Sequence, residues 1–232
     1  MAETERSDDA RPRRRRIARR SVEADERPRS GAATRQRILD VAILVIAEKG
    51  LHDTRISDIA RQAGIAYGLV YHYFKNKEEI LDTIFDERWG AFIEAVREIA
   101  SSDQPVGEKL NSLAHVILSS HRTNPEWVEI LLFEIQRTQR MLAPERRERV
   151  GELFQLTAGM LREGQASGEL RADLDPSLAC FVFLGGLDSV VTVRTLGVSG
   201  IDEEQDASER AYYARLARTV VDLFLDGMAA PA

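Results

Sequence analysis

Between Ile56 and Lys77 the chain reads ISDIARQAGIAYGLVYHYFKNK. Ile56, Ile59, Ala60 and Ala63 recur at steps of three and four residues, which puts them on one face of a short helix. Gly64 follows where that helix must stop, a position that favours left-handed backbone. Ile65 is apolar again and can pin the turn to a core. A second short helix is predicted over Ala66–Tyr73. Its spacing turns Leu69, Val70 and Phe74 inward and leaves Tyr67, Gly68, Tyr71 and His72 nearer the outside. Two short helices joined by a glycine turn form the unit whose second helix enters the major groove of DNA. Gly68 weakens the helix where it stands. Close approach of its backbone to a phosphate is one reason to keep a glycine there.

Here the sequence resembles the TetR family of one-component bacterial regulators. The resemblance rests on TRQRILDVAILVIAEKG and ISDIARQAGIAYGLVYHYFKNKEEIL, within Thr34 to Leu81, and on the pattern G-[IV]-x-x-G-x-[LV]-Y-x-[YH]-F-x-x-K. It implies that Thr34, Arg35, Thr54, Ser57, Ala66, Tyr67, Gly68, Tyr71, His72 and Lys77 face DNA. Thr34 and Arg35 begin the first helix, where phosphates would pass. Thr54 can cap the second helix or bind phosphate. Arg55 occupies the position where relatives usually carry that threonine cap. Lys77 opens the fourth helix; the family's equivalent lysine contacts phosphate, and the plain alternative is a solvated side chain. Glu78 and Glu79 suit that helix start, whose amides would add a weak anion site. Many members have Ser or Thr at the positions of Ala66 and Leu69, and Lys or a small polar residue at Tyr67. Those hydroxyl contacts are lost here, so Tyr67 and His72 must do more of the reading.

The 232 residues suffice for a small DNA-binding domain and a larger one. The net charge of −6 is partitioned: +3 over residues 1–31, +3 over 32–77 and −12 over 78–232. A nucleic-acid face on an acidic body fits that asymmetry. Residues 1–31 have almost no large apolar side chains and are expected to be disordered. They hold the basic run RPRRRRIARR, Arg11 to Arg20. It reads either as a loose phosphate-binding tail or as an arm for the minor groove. Either way it should steepen salt dependence. No apolar run near twenty residues is evident, so no membrane span is expected, and the charged N-terminus is not a secretory signal. The single Cys180 fits a reducing cytoplasm and reads as core filler rather than a redox sensor.

The first helix is predicted over Ala33–Lys49, with Ile38, Ala42, Val45 and Ile46 inward and Gly50 as its stop. Beyond Lys77 the pattern is helical throughout. Ile80, Leu81, Ile84, Phe85, Trp89, Phe92, Ile93 and Val96 mark a long helix to about Ala100. Pro105 and Pro125 open two more, the first with Leu110, Leu113, Ala114, Ile117 and Leu118 inward, the second with Trp127, Val128, Leu131, Leu132 and Ile135. Arg137 to Arg149 is polar and broken at Pro144. Leu153, Leu156, Met160 and Leu161 continue to a stop at Gly168. A helix after Pro176 and another around Leu216–Phe224 are apolar over a broader face than one partner helix needs. The TetR resemblance implies that these two pair with their copies in a four-helix dimer interface through Phe181, Gly185, Gly186, Val190, Leu216, Val220, Leu223 and Phe224. The alternative is a bundle closed within one chain. Asp188 and Thr192, one turn apart, read as helix packing.

The fold class expected is therefore all-α. An N-terminal three-helix helix-turn-helix domain (32–77) follows the tail (1–31) and precedes a C-terminal helical ligand-binding and dimerisation domain (78–232). A pocket between the fourth, fifth, seventh and eighth helices would be lined by Trp89, Phe92, Leu113, Ile117, Phe133, Leu153, Met160 and Phe183, all of which read equally as core. Gly164 to Gly197, GQASGELRADLDPSLACFVFLGGLDSVVTVRTLG, resembles the acyl-CoA-responsive regulators of fatty-acid degradation within that family. That resemblance implies an acyl chain in the cavity and cations for the CoA phosphates at its mouth. Arg137, Arg140, Arg146, Arg147 and Arg149 are the densest basic group there, or else a solvated helix face. His115 and His121 are six apart and have no ligating neighbours, so no metal site is expected. No nucleophile, phosphate-loop or dinucleotide pattern appears, so no enzyme activity and no cofactor are expected. The expected partners are an operator of inverted-repeat DNA, a second copy of the chain and a small effector. The expected function is a ligand-released repressor in the cytoplasm, with a ligand-independent architectural DNA-binding protein as the alternative.

Overall fold

Apolar residues at three- and four-residue spacing become helix from one end of the domain pair to the other. The computed structural model describes residues 31–137, 144–196 and 208–227, without the side chains of 132–146. Among these the elements are α1 (Gly31–Lys49), α2 (Ile56–Ala63), α3 (Tyr67–Tyr73), α4 (Lys77–Ser101) and α5 (Val106–Thr123), then α6 (Pro125–Arg137), α7 (Pro144–Ser167), α8 (Pro176–Thr195) and α9 (Glu209–Asp226). The basic run Arg11–Arg20 lies outside the described residues, as do Arg140 and the side chains of Leu132, Phe133, Ile135, Arg137 and Arg146.

The N-terminal unit is built on the face read from the sequence. Ile38, Ala42, Val45 and Ile46 of α1 meet Ile56, Ile59, Ala60 and Ala63 of α2, all buried. Gly64 adopts φ 63° and ψ 38°, the left-handed cap that ends α2, and the Ile65 amide returns to the Ala60 carbonyl at 3.1 Å. Helix α3 starts at Tyr67, with Ala66 as its extended N-cap. One inward residue differs from expectation. Val70 and Phe74 are 0% and 2% exposed, but Leu69 is 38% exposed. Seven residues are under two turns, so α3 can offer α1 and α2 only a narrow edge, and Val70 takes it.

Helix α4 runs out of this unit into the larger domain. It carries Phe85 stacked on Trp89 with ring centroids 5.6 Å apart, and Trp89 against Phe92 at 5.2 Å. It packs on α5 and α7, while α5 lies along α9 and α7 along α8. Helix α6 reaches back to α1, giving the two domains a second contact besides α4. Two buried polar side chains hold the larger domain's helices together. The Lys109 ammonium donates to the Ala100 carbonyl and Glu163, each at 2.9 Å. His121 meets the Tyr213 hydroxyl at 2.8 Å and Thr195 at 3.2 Å, and burial holds its imidazole below the usual value.

Helix α7 comes close to the start of α5 at Gly164. A methyl group there would lie 2.8 Å from Val106 Cγ1 and 3.0 Å from Leu170 Cδ1. Gly164→Ala should therefore destabilise the larger domain by about 1–3 kcal/mol, the range for overpacking. Thermal unfolding measures this; a midpoint equal to the parent's would refute a tight α5–α7 contact.

Helix α8 corrects the expectation of no long apolar run. By length and composition alone it is apolar enough to cross a membrane, and only 28% of its apolar stretch is buried within the single chain. Its inner face is Ala179, Cys180, Phe183, Leu184, Leu187 and Val191. Its outer face exposes Leu178, Phe181 and Val182 at 64%, 57% and 69%, beside Leu223 of α9 at 72%. Gly185 has open space beside it and Gly186 only a loose neighbour in Val220 at 3.9 Å. Close helix approach at these glycines is thus not used inside one chain. Burial pushes the Cys180 thiol up to about 11, which agrees with its reading as core filler.

Candidate nucleic-acid interface and effector domain

Helices α2 and α3 present one polar and aromatic surface. Ser57, Ala66, Tyr67, Gly68, Tyr71 and His72 are all exposed. Tyr67 and Tyr71 lie one turn apart, with hydroxyls 3.1 Å from each other and rings edge-to-face at 5.1 Å. Each ring restrains the other, so the pair forms a preordered wall along α3. Gly68 has no atom near the place of a β-carbon, which leaves a notch in the exposed face between that wall and His72.

Four expected phosphate contacts are arranged differently. The Thr54 side chain is 1% exposed, and its hydroxyl donates to the Gly50 carbonyl at 2.8 Å. It fastens the α1–α2 turn and does not cap α2, whose N-cap is Arg55. The Lys77 ammonium donates to the carbonyls of Leu51, His52 and Thr54 at 2.6, 2.7 and 2.9 Å. Those bonds account for its three donors. Lys77 therefore ties the start of α4 to the α1–α2 turn, and a phosphate would have to displace a carbonyl. Arg35 pairs with Glu87 of α4 at 2.6 Å and lies over the Phe74 ring at 5.6 Å. At the N-terminus of α4 the Glu79 amide donates to the Asn76 side chain at 2.7 Å, so part of the expected anion site is already filled. Thr34 is half-buried at the start of α1.

Other cations flank the surface. Arg55 and Lys75 are exposed just before α2 and just after α3; Lys75 is not among the DNA-facing residues that the resemblance implies, although its place directly after the aromatic run is visible in the sequence. Lys49 and Arg61 share Asp58, at 3.1 and 2.7 Å, and both cations hold its carboxyl below the usual range, the Lys49 hydrogen bond most of all. The Lys49, Asp53, Arg55 and Lys77 side chains border an open concavity of about 560 Å³ beside the α1–α2 turn. Gly31 enters α1 next to α3: a β-carbon there would lie 3.5 Å from the Tyr73 hydroxyl.

In the larger domain α4, α5, α7 and α8 pack on one another. Trp89, Leu113, Met160 and Phe183 are buried among them, and Phe92, Ile117 and Leu153 are half-buried. The Trp89 indole donates to the Arg149 carbonyl at 3.2 Å. The Arg149 guanidinium pairs with Asp86 of α4 at 2.6 Å, and both side chains are exposed. Arg147 is exposed. On the outer faces of α8 and α9, Phe181, Gly185 and Leu223 are exposed and Gly186, Val190, Leu216, Val220 and Phe224 half-buried. Among the described residues no cluster of His, Cys, Asp or Glu has metal-ligand spacing.

Comparison with known proteins covers both domains. The model described as bacterial regulatory proteins, tetR family, matches residues 38–84, and that of the YsiA-like protein C-terminal region matches residues 85–202. The fatty acid metabolism regulator protein of Bacillus subtilis (strain 168) is 33% identical over 195 residues, 82% of this chain and 93% of the relative. The HTH-type transcriptional repressor KstR2 of Rhodococcus jostii (strain RHA1) is 30% identical, over 85% of this chain and 92% of the relative. The crystal structure of the transcriptional regulator FadR from Bacillus subtilis in complex with stearoyl-CoA superposes with a TM-score of 0.68 at 31% identity, covering 83% of this chain and 98% of that one. The fatty acid degradation regulator FadR from Bacillus halodurans gives 0.70 at 28% identity, over 86% and 98%.

Proposed function

The chain belongs to the TetR family of bacterial regulatory proteins, and on that premise we propose that it is a cytoplasmic, non-enzymatic repressor released from its operator by long-chain acyl-CoA. It is a TetR-like transcriptional repressor that binds operator DNA as a homodimer. The observation that carries the effector is the likeness to the stearoyl-CoA-bound FadR over nearly that protein's whole length. The acyl chain would lie among α4, α5, α7 and α8, against Trp89, Phe92, Ile117, Leu153 and Phe183. The CoA phosphates would meet the arginines at the start of α7, with Arg149 exchanging its Asp86 partner for phosphate.

Release follows as a population shift. Two α3 helices must stand about 34–36 Å apart to enter successive major grooves. A ligand that fits better when α4 is displaced moves the α1–α2 turn through the Lys77 tether, and with it α2 and the α3 packed on it, while α6 moves α1 through their shared contact. The ligand can weaken operator binding only by its differential affinity, about 1–3 kcal/mol for a typical coupling.

The test is operator binding by the purified dimer, titrated with stearoyl-CoA, stearate and CoA separately. Stearoyl-CoA alone should lower operator affinity, by about 5- to 150-fold for that coupling. Release by stearate as well would remove the arginines from the site. Tight binding unmoved by any of the three would refute an acyl-CoA effector and favour the ligand-independent reading.

A further inference from the structure

The helix that enters the groove carries the residues YGLVYHY, Tyr67 to Tyr73. It holds no Arg, Lys, Asn, Gln, Asp or Glu. The pairings that usually read bases, Arg or Lys on guanine and Asn or Gln on adenine, are therefore closed to α3. Its exposed side chains are instead large and mostly apolar: Tyr67 at 54%, Leu69 at 38% and Tyr71 at 46%. A single exposed leucine on a surface needs no explanation. This one shares a two-turn helix with two exposed tyrosines, and among the described residues the remaining large exposed apolar side chains are on α8, on α9, just beyond α8 at Leu196, or isolated at Leu44.

At helical spacing Gly68 and His72 occupy the middle of the exposed face. The Tyr67–Tyr71 wall borders one side and Leu69 the other. The notch at Gly68 lets the helix backbone sink towards the bases, and Leu69 is then carried to the groove floor. The one apolar group that a base pair shows in the major groove is the C5-methyl of thymine. We propose that Leu69 is a specificity-determining residue that packs on the C5-methyl of one thymine in each operator half-site. This rests on the operator-binding reading above and adds the base feature that α3 recognises.

The test begins with duplexes selected by the dimer from a random pool. Each thymine of the recovered repeat is then replaced, symmetrically in both half-sites, by deoxyuridine, which keeps every hydrogen bond and removes only the methyl. The wild-type protein should lose about tenfold in affinity at one symmetric thymine pair, since about one methyl per half-site leaves its apolar contact. Leu69→Ala should bind the unmodified duplex more weakly and show no deoxyuridine penalty at that pair. Leu69→Met should restore the penalty. An unaltered penalty in Leu69→Ala, its disappearance in Tyr67→Ala or Tyr71→Ala alone, or no penalty anywhere for the wild type would overturn the assignment. Failure of the wild type to enrich any duplex would instead remove the operator reading on which it rests.

Discussion

Phe181→Glu combined with Leu223→Glu should leave a folded monomer that no longer holds its operator. Both side chains are more than half exposed in the single chain, so a carboxylate at Leu223 costs the isolated protomer little and one at Phe181 costs it mainly the contact with the Phe154 ring, 5.3 Å between centroids. In the homodimer the same positions would bring four carboxylates together on the apolar faces of α8 and α9, where charge must be desolvated. Losing the partner turns a two-site attachment into a one-site attachment. The affinity should fall by about 100-fold or more, the scale on which linking two modules raises avidity. Sedimentation velocity reads the oligomer, circular dichroism the helix content, and fluorescence anisotropy the DNA binding. A variant that stays dimeric would move the interface away from this face.

Lys77→Ala should weaken operator binding by about tenfold or more, but through structure rather than charge. Its ammonium satisfies three carbonyls of the α1–α2 turn, and hydrogen bonds to a charged group contribute about 1.5–3 kcal/mol. Its removal lets the turn and the start of α4 separate, which loosens the frame that orients α3. The thermal midpoint should drop together with the affinity. The dependence of log affinity on log salt separates the two roles. A lysine bound to phosphate contributes about 0.9 to the slope per contact; a lysine bound to carbonyls contributes nothing. A slope reduced by about two in the dimer, with stability intact, would restore Lys77 to the phosphate contacts.

These expectations differ in how far the sequence carried them. The face Ile56, Ile59, Ala60 and Ala63, the left-handed turn at Gly64 and the exposed Tyr67 and Tyr71 were all legible, because each follows from local spacing or from one residue's backbone freedom. The order of the helices was legible too, since prolines and glycines mark most of their ends. Leu69 was not. Apolar character and helical offset placed it inward, but a seven-residue helix has only one edge in contact, and Val70 fills it.

The polar side chains were the least legible. Thr54, Arg35 and Lys77 have the right chemistry for phosphate and the right place in a familiar pattern. Their partners, Gly50, Glu87 and the carbonyls of Leu51, His52 and Thr54, are up to 52 residues distant in the chain. Nothing in residue type distinguishes a cation held by carbonyls from one waiting for a phosphate; only the folded position of both groups does.

By itself, then, the sequence determined the all-α class, the helix-turn-helix and the family, because helical periodicity and turn chemistry act over a few residues. The tertiary structure alone decided which α3 side chains meet solvent, which cations are already spent and which face of α8 is left uncovered. Those outcomes depend on long-range packing, in which one helix buries a residue only if another arrives to cover it.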